Sequence, residues 1–288
     1  VTLREVWRQG TEFLRRAGVK TPALDAEVLL RHLTGQSREE FYRDLPLPWL
    51  QDSDLRWREM LNRRASGTPV AYITGEKEFY GLTFQVTPAV LVPRPETEIL
   101  VQRALELFQE KRLPPNAWVL DIGTGSGAIA VTLAVNLPKI QVTATDISVD
   151  ALAVARANAR RHQVQARLHF ETGDLWPPEG SAPADGLKFN LVVSNPPYIE
   201  AEQIAQLSPE VRHEPTLALD GGPDGLSVYR RLISGLKKYM LPQGWVLLEV
   251  GADQADHVSE LLAAAGFKVL PPVLDLAGYP RVVQAKEG

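Results

Sequence analysis

The chain reads as an α/β protein: a mostly parallel, seven-stranded sheet with an antiparallel last strand, covered by helices on both faces and preceded by a small helical bundle. Three observations predict this. From residue 117 onward short apolar runs alternate with helical patterns, as strands and crossover helices do in a parallel sheet. Residues 1–66 carry apolar residues at spacings of three, four and seven only, which is helix without strand. The last two apolar runs, "KVLPPVL" and "RVVQAKE", are parted only by "DLAGYP". That is too short for a helical crossover, so the closing pair should be antiparallel.

In the first region Leu3, Val6, Trp7, Phe13, Leu14 and Ala17 line one helix, which Gly18 ends. Thr21 as N-cap and Pro22 at the first helical position open a second, closed by Gly35. A further helix is expected across "DSDLRWREMLNRRASG". With 12 Lys/Arg against 10 Asp/Glu, residues 1–66 form a near-neutral bundle in which nothing signals catalysis. Residues 67–93 turn β-rich, with Tyr80-Gly81 at the bend of an expected hairpin linker. Residues 94–288 form the sheet domain. It opens on a helix with Pro95, Glu96 and Glu98 in the first turn. Strands follow in "AWVLDIG", "IQVTATDI", "ARLHFETGD", "FNLVVSN" and "GWVLLEV" before the closing pair. The Pro-rich "WPPEGSAP" is expected to be a surface loop.

A formal net charge of -4 and a pI of about 5.8 argue against general attraction to nucleic acid or anionic membrane. Cysteine is absent, which excludes disulfides and thiolate chemistry and suits a reducing compartment. The first residues lack a signal-peptide core, and no run approaches the roughly 18 apolar residues of a membrane span. A cytoplasmic protein is expected.

Two motifs carry chemistry. "VLDIGTGSGAIA" places Gly123, Thr124, Gly125, Ser126 and Gly127 between the first strand and first helix of the sheet. Glycine there lets backbone approach a ligand closely, and the following helix N-terminus offers N–H groups. Asp146 ends the second strand, where a carboxylate can accept hydrogen bonds from ribose hydroxyls. A nicotinamide dinucleotide wants G-x-G-x-x-G. The spacing here is G-x-G-x-G with Asp121 ahead of it, and it better resembles the first motif of class I S-adenosylmethionine-dependent methyltransferases.

The second motif is "VVSNPPYI". A buried strand halts at Asn195, Pro196 and Pro197 fix the next two φ angles, and Tyr198 follows. The Asn195 carbonyl and the Pro196 backbone carbonyl can converge on a planar NH₂, with the Tyr198 ring stacked on it. Such an amide or aromatic NH₂ is a poor nucleophile. Two acceptors orient its lone pair and stabilise positive charge growing on nitrogen, so no strong general base is required.

"NPPY" is shared by methyltransferases of adenine, guanine and glutamine. "VAYITGEKEFYG", "VLVPRPETE", "VSNPPYI", "EPTLALDGGPDGLSVYRRL" and "LLEVG" together resemble the HemK/PrmC family, the protein-(glutamine-N5) methyltransferases of peptide chain release factors. The resemblance spans about residues 68–283, and the helical region fits more loosely. It implies S-adenosyl-L-methionine across Gly123–Gly127, Asp146 on its ribose, Leu175 beside its adenine and S-adenosyl-L-homocysteine as product, without a metal. It also implies that Asn195, Pro196, Pro197 and Tyr198 hold the glutamine amide of the release-factor GGQ motif, with residues 1–66 docking the substrate. The protein is expected to be a monomer with class I release factors as its partners.

Leu175 is also an ordinary core residue by type. Arg94, Glu96 and Thr97 could line the cofactor's methionine end or simply start a helix. His213 is a lone loop histidine, more often structural or solvated than catalytic. The rival readings are a glutamine methyltransferase of a ribosomal protein and a DNA or RNA amino-methyltransferase. The latter would normally need a basic footprint or a target-recognition domain, and neither is evident. A non-catalytic nucleotide module or a nicotinamide oxidoreductase would leave the Asn-Pro-Pro-Tyr acceptors without purpose.

Overall fold

Thr2 accepts from the Glu5 backbone N–H while the Glu5 carboxylate accepts from the Thr2 N–H, a capping box that starts α1 (Leu3–Arg16). In this computed structural model residues 1–49, 54–179 and 188–288 are described. They divide into two units, Val1–Glu76 with Leu207–His213, and Lys77–Gln206 with Glu214–Gly288.

The first unit is helical. Gly18 at φ +80° ends α1, and α2 (Pro22–Thr34) ends on Gly35 in the left-handed region. Thr21 does not cap α2 with its side chain; its hydroxyl donates to Asp25 Oδ1 at 2.8 Å instead. A helix not foreseen, α3 (Arg38–Asp44), starts on a second capping box, Ser37 with Glu40. α4 (Asp54–Ala65) follows, then α5 (Val70–Thr74). α5 lies within the stretch expected as hairpin linker. It is helical because Ala71, Tyr72 and Ile73 are buried and Ile73 joins the core of Leu14, Leu29, Leu30, Phe41 and Trp57. Buried Arg64 donates to Asp25 at 2.6 Å and to Glu210.

The second unit opens with the expected hairpin, β1 (Glu76–Phe79) and β2 (Leu82–Gln85). Tyr80 and Gly81 both have positive φ, the turn that matches strand twist. The chain continues through α6 (Thr97–Gln109), β3 (Trp118–Ile122), α7 (Ala128–Asn136), β4 (Gln141–Asp146), α8 (Val149–Arg161), β5 (Leu168–Thr172) and β6 (Phe189–Ser194). After α9 (Pro209–Arg212), which belongs to the first unit, come α10 (Ser227–Tyr239), β7 (Met240–Glu249), α11 (Ala255–Ala264), β8 (Lys268–Leu274) and β9 (Pro280–Lys286). Part of the loop expected at "WPPEGSAP" falls outside the described residues.

The seven strands lie in the order β5-β4-β3-β6-β7-β9-β8. β3 through β7 are parallel, while β9 is antiparallel to both β7 and β8, as the short closing connection requires. β7 starts earlier than its apolar run. Met240 pairs with Phe189, and an irregularity follows where Gln243 takes φ +66°. Two apolar layers cover the sheet. One packs Leu100, Ala104, Val131 and Leu133 on Val119, Val142 and Val193; the other packs Tyr229, Leu232, Val258 and Leu262 on Leu120, Val192 and Val246. Among the described residues no helix is long and apolar enough to cross a membrane.

Candidate active site

Strand order reverses between β3 and β6, the place where an open α/β sheet leaves a crevice beyond its carboxyl ends. Ile122 and Ser194 are register partners, so Gly123 and Asn195 leave the sheet side by side. The two motifs therefore meet because of strand order, although the register partners Ile122 and Ser194 lie 72 positions apart in sequence.

The turn after β3 is tied from within. Gly123 and Thr124 donate their N–H groups to Thr145 O, each at 2.9 Å, and Gly125 donates to Asp146 Oδ2 at 2.9 Å. These N–H groups are spent on the protein and are not offered to an anion. Asn158 on α8 braces the turn by donating to Ser126 O at 2.9 Å. The glycines have separate reasons. A side chain at Gly123 or Gly125 would enter open space, whereas one at Gly127 would meet the Ala155 Cβ at 3.2 Å. Gly123 and Gly125 leave room for a ligand, and Gly127 lets α7 approach α8.

Asp121 lies wholly buried beneath this turn. Its Oδ2 accepts from Thr124 Oγ1 at 2.6 Å and Ala130 N at 3.2 Å, while Oδ1 has no partner. Burial pushes its carboxyl up to about 7. Asp146 Oδ1 accepts from Ser148 N at 2.9 Å, so each carboxylate oxygen has one backbone donor and keeps a lone pair. Burial raises its pKa against those backbone bonds. Leu175 adopts φ +72°, its carbonyl accepts from Thr145 Oγ1 at 2.7 Å, and its side chain packs at the edge of the second apolar layer. Open space over two glycines, a half-free carboxylate at a strand end and an unpartnered buried oxygen fit a ribose-bearing cofactor.

Asn195 is half-buried and Pro196 is buried. Asn195 Nδ2 donates to Thr97 Oγ1 at 3.1 Å, which turns Oδ1 the other way. The chain beyond is clamped. Ile199 donates to Leu219 O at 3.0 Å, Gly221 donates to Ile199 O at 2.8 Å, and Gln254 Nε2 donates to Tyr198 O at 3.0 Å. A Cβ on Gly221 would come within 2.8 Å of Tyr198 backbone, and one on Gly225 within 2.5 Å of the Tyr198 carbonyl. Gly221 and Gly225 of "LDGGPDGL" are thus spacers for the Asn-Pro-Pro-Tyr segment, while Gly222 clears Ser227. Burial, with the charge of Glu249 behind it, pushes the Tyr198 phenol up to about 12, so the ring stays neutral.

Several of these residues carried no role in the sequence. Glu214 accepts from Val92 N at 3.0 Å and from Arg94, tying "VPRPE" to "HEP". That contact gives Arg94 a structural place. His213 Nδ1 sits 2.7 Å from Pro209 O on the first unit. Thr97 bonds Asn195, and Glu249 ends the strand beside it; the only signal for Glu249 was its place in "LLEVG".

The sheet order, glycine turn and strand-end acid define a class I methyltransferase fold. The PrmC N-terminal domain family matches residues 5–75 and the methyltransferase small domain family residues 97–213. A release factor glutamine methyltransferase of Moorella thermoacetica is 42% identical over 287 residues, 98% of this chain and 97% of that protein. Its counterpart in Geobacter sulfurreducens is 41% identical over 290 residues, 100% of this chain and 97% of that one. The solved structure of a methyltransferase from Pyrococcus furiosus shares the fold, with a TM-score of 0.53 at 20% identity over 82% of this chain and 99% of that one. The chain belongs to the release factor glutamine methyltransferase family, the HemK/PrmC family its motifs resembled.

Proposed function

We propose that the protein transfers the methyl group of S-adenosyl-L-methionine to the side-chain amide nitrogen of a glutamine in peptide chain release factors. The observation that carries this reading is the orientation of Asn195, whose NH₂ is engaged by Thr97 and whose carbonyl oxygen is left for a substrate donor. A substrate NH₂ held by Asn195 Oδ1 and the Pro196 carbonyl has both hydrogens in one plane, with its lone pair perpendicular to them. Pro196 and Pro197 fix the geometry through their locked φ angles. Tyr198 presents an uncharged ring to the amide plane.

When bound, S-adenosyl-L-methionine supplies an electrophilic sulfonium methyl group. Gly123 and Gly125 give it backbone clearance, Asp146 accepts from its ribose hydroxyls, and Leu175 flanks its base. As the amide nitrogen gains a bond, its N–H groups become more acidic, and the two acceptors that held them stabilise the growing charge. A proton then passes from nitrogen to solvent water, with no dedicated base. Residues 1–66 dock the protein substrate, and the chain acts as a monomer in the cytoplasm.

The test is incubation with labelled S-adenosyl-L-methionine and full-length release factor, followed by peptide fragmentation. Label on a single glutamine side chain is expected. Label on a ribosomal protein or on nucleic acid would replace this reading with one of its rivals.

A further inference from the structure

We propose that the β1–β2 hairpin is a strut coupling the cofactor turn to the segment that holds the substrate amide, with Asn158 as its positioning residue. The inference rests on the roles given above to that turn and to Asn195. The hairpin grips two helices, each at two positions one turn apart. At its tip Tyr80 N donates to Glu98 Oε1 at 2.8 Å and Tyr80 Oη to Gln102 Oε1 at 2.6 Å, both on α6. Along β2, Gln85 N donates to Asn158 Oδ1 at 2.7 Å on α8, and Thr83 O lies 2.9 Å from His162 Nε2 at the end of that helix. A carbonyl only accepts, so this His162 nitrogen carries the proton.

Asn158 is wholly buried and uses its oxygen and both amide hydrogens. Nδ2 donates to Gln85 O and to Ser126 O, each at 2.9 Å, while Oδ1 takes Gln85 N. The N–H and C=O of one strand residue point the same way, so the side chain pairs with Gln85 as a residue of an antiparallel neighbour would. The second hydrogen holds the cofactor turn. Ser126 C=O points at Asn158 and Gly127 N donates to Thr124 O at 2.8 Å, so the peptide plane between Ser126 and Gly127 is fixed at both ends. Asparagine is a poor helix former, and at this position only a short amide offers two donors and an acceptor at once.

The other end of the strut reaches the substrate side. Glu98 follows Thr97, the first residue of α6, whose hydroxyl oxygen accepts from Asn195 Nδ2 at 3.1 Å. Tyr80 takes φ +50°, a left-handed conformation that glycine or asparagine fills at less cost. A glycine there would forgo the hydroxyl bond to α6. A run of hydrogen bonds thus leads from Ser126 through Asn158 and the hairpin to α6 and Asn195. Ordering the turn around a cofactor should therefore restrain the hairpin and the start of α6 together.

The experiment is amide hydrogen exchange of the full chain with and without S-adenosyl-L-methionine, read by nuclear magnetic resonance, alongside calorimetry and release-factor kinetics. Saturating cofactor should slow exchange at Gln85 and Tyr80 about 5–50-fold. The Tyr279 amide also donates to a side-chain carboxylate, that of Asp275, but lies off the strut. Its exchange should change less than about twofold. Asn158→Ala should erase the cofactor's effect at Tyr80 and raise the cofactor Kd about tenfold. Tyr80→Phe removes only the bond to Gln102. It should leave the cofactor Kd within about twofold and raise the release-factor KM about 3–10-fold. Added to Asn158→Ala it should raise that KM little further, whereas effects at independent sites would multiply. Exchange at Gln85 and Tyr80 indifferent to cofactor, a wild-type KM in Tyr80→Phe, or effects that multiply would overturn the strut. The first two readings stand even if Asn158→Ala fails to fold. Cofactor-dependent protection of the hairpin without glutamine methylation would overturn the substrate reading and leave the strut standing.

Discussion

The buried acids of the helical unit pair with arginine, as Glu214 of the sheet unit does with Arg94, whereas two other acids of the sheet unit have no such partner. In the helical unit Asp25 and Arg64 are buried together, with Glu210 on the same guanidinium. In the sheet unit Asp121 and Glu249 are buried with hydroxyl and backbone donors, and no ion pair joins either of them among the described residues. A carboxylate matched by arginine fixes structure through the pair. A carboxylate denied a cation drifts toward neutrality and becomes responsive near pH 7. Asp121 lies under the glycine turn, and Glu249 ends the strand beside the one that leads into Asn195, both at the proposed site. Incomplete charge compensation distinguishes the working part of the molecule from the supporting part.

The largest effect should come from unbalancing the matched pair. Arg64→Ala leaves Asp25 buried without its cation and should destabilise the helical unit by about 3–5 kcal/mol. Chemical denaturation checks this, and cofactor affinity measured by calorimetry on the folded fraction should be unchanged. A variant as stable as wild type would erase the contrast drawn between the units.

Next is Asn195→Ala, which should reduce turnover about 10²–10³-fold while largely sparing cofactor affinity. Asn195→Asp keeps an acceptor and should retain part of the rate. Methyl transfer to full-length release factor is the measurement, and wild-type turnover in the alanine variant would remove Asn195 from the site.

The unmatched acid makes a prediction of opposite sign. Glu249 has its folded pKa raised above the ordinary value of 4.5, to about 7. The folded state therefore holds a proton that the unfolded state has lost between those values, and stability falls as pH rises through that window. Glu249→Gln removes the penalty. Its stability advantage over wild type should grow by on the order of 3 kcal/mol between pH 4.5 and 7, then level off. Denaturant midpoints at a series of pH values test this, and a gap that shrinks with pH would contradict the burial argument.

The smallest effect is on ligand affinity. Asp146→Ala should weaken S-adenosyl-L-methionine binding by about 1.5–3 kcal/mol, the worth of a hydrogen bond to a charged acceptor. The same substitution frees Gly125 N, so a melting curve must show the fold intact. Unchanged affinity in a folded variant would defeat the ribose assignment.

What was legible in the sequence was local or periodic. Short apolar runs alternating with helical patterns announced every strand of the large sheet, and the glycine turn and Asn-Pro-Pro-Tyr stood at strand ends. α3 was missed because seven residues hold too few apolar positions for a period to show; its signal was Ser37 three residues before Glu40. The start of β7 was hidden by Pro242, Gln243 and Gly244, residues that usually end strands. Thr97 was read as lining the cofactor's methionine end or starting a helix, and its contact with Asn195 was not foreseen because it spans 98 positions of sequence. Sequence spacing carries no information about which side chains a fold of this order brings together. Gly221 and Gly225 of "LDGGPDGL" prove to be clearance for Tyr198, a role the motif alone did not signal.

The clamp on the segment after β6 has a kinetic consequence. Two prolines, the Ile199 backbone bonds and the Gln254 bond to Tyr198 leave residues 195–199 few alternatives before any substrate arrives. Ordering a free backbone residue costs about 1–2 kcal/mol of entropy, and here that cost is borne when the protein folds. On the reading proposed above, an incoming glutamine meets a rim already in its receiving shape, so most of the disorder lost at encounter is the substrate's own. Loosening that rim, as a side chain at Gly225 would, should therefore show first as slower productive capture and only afterwards as a slower chemical step.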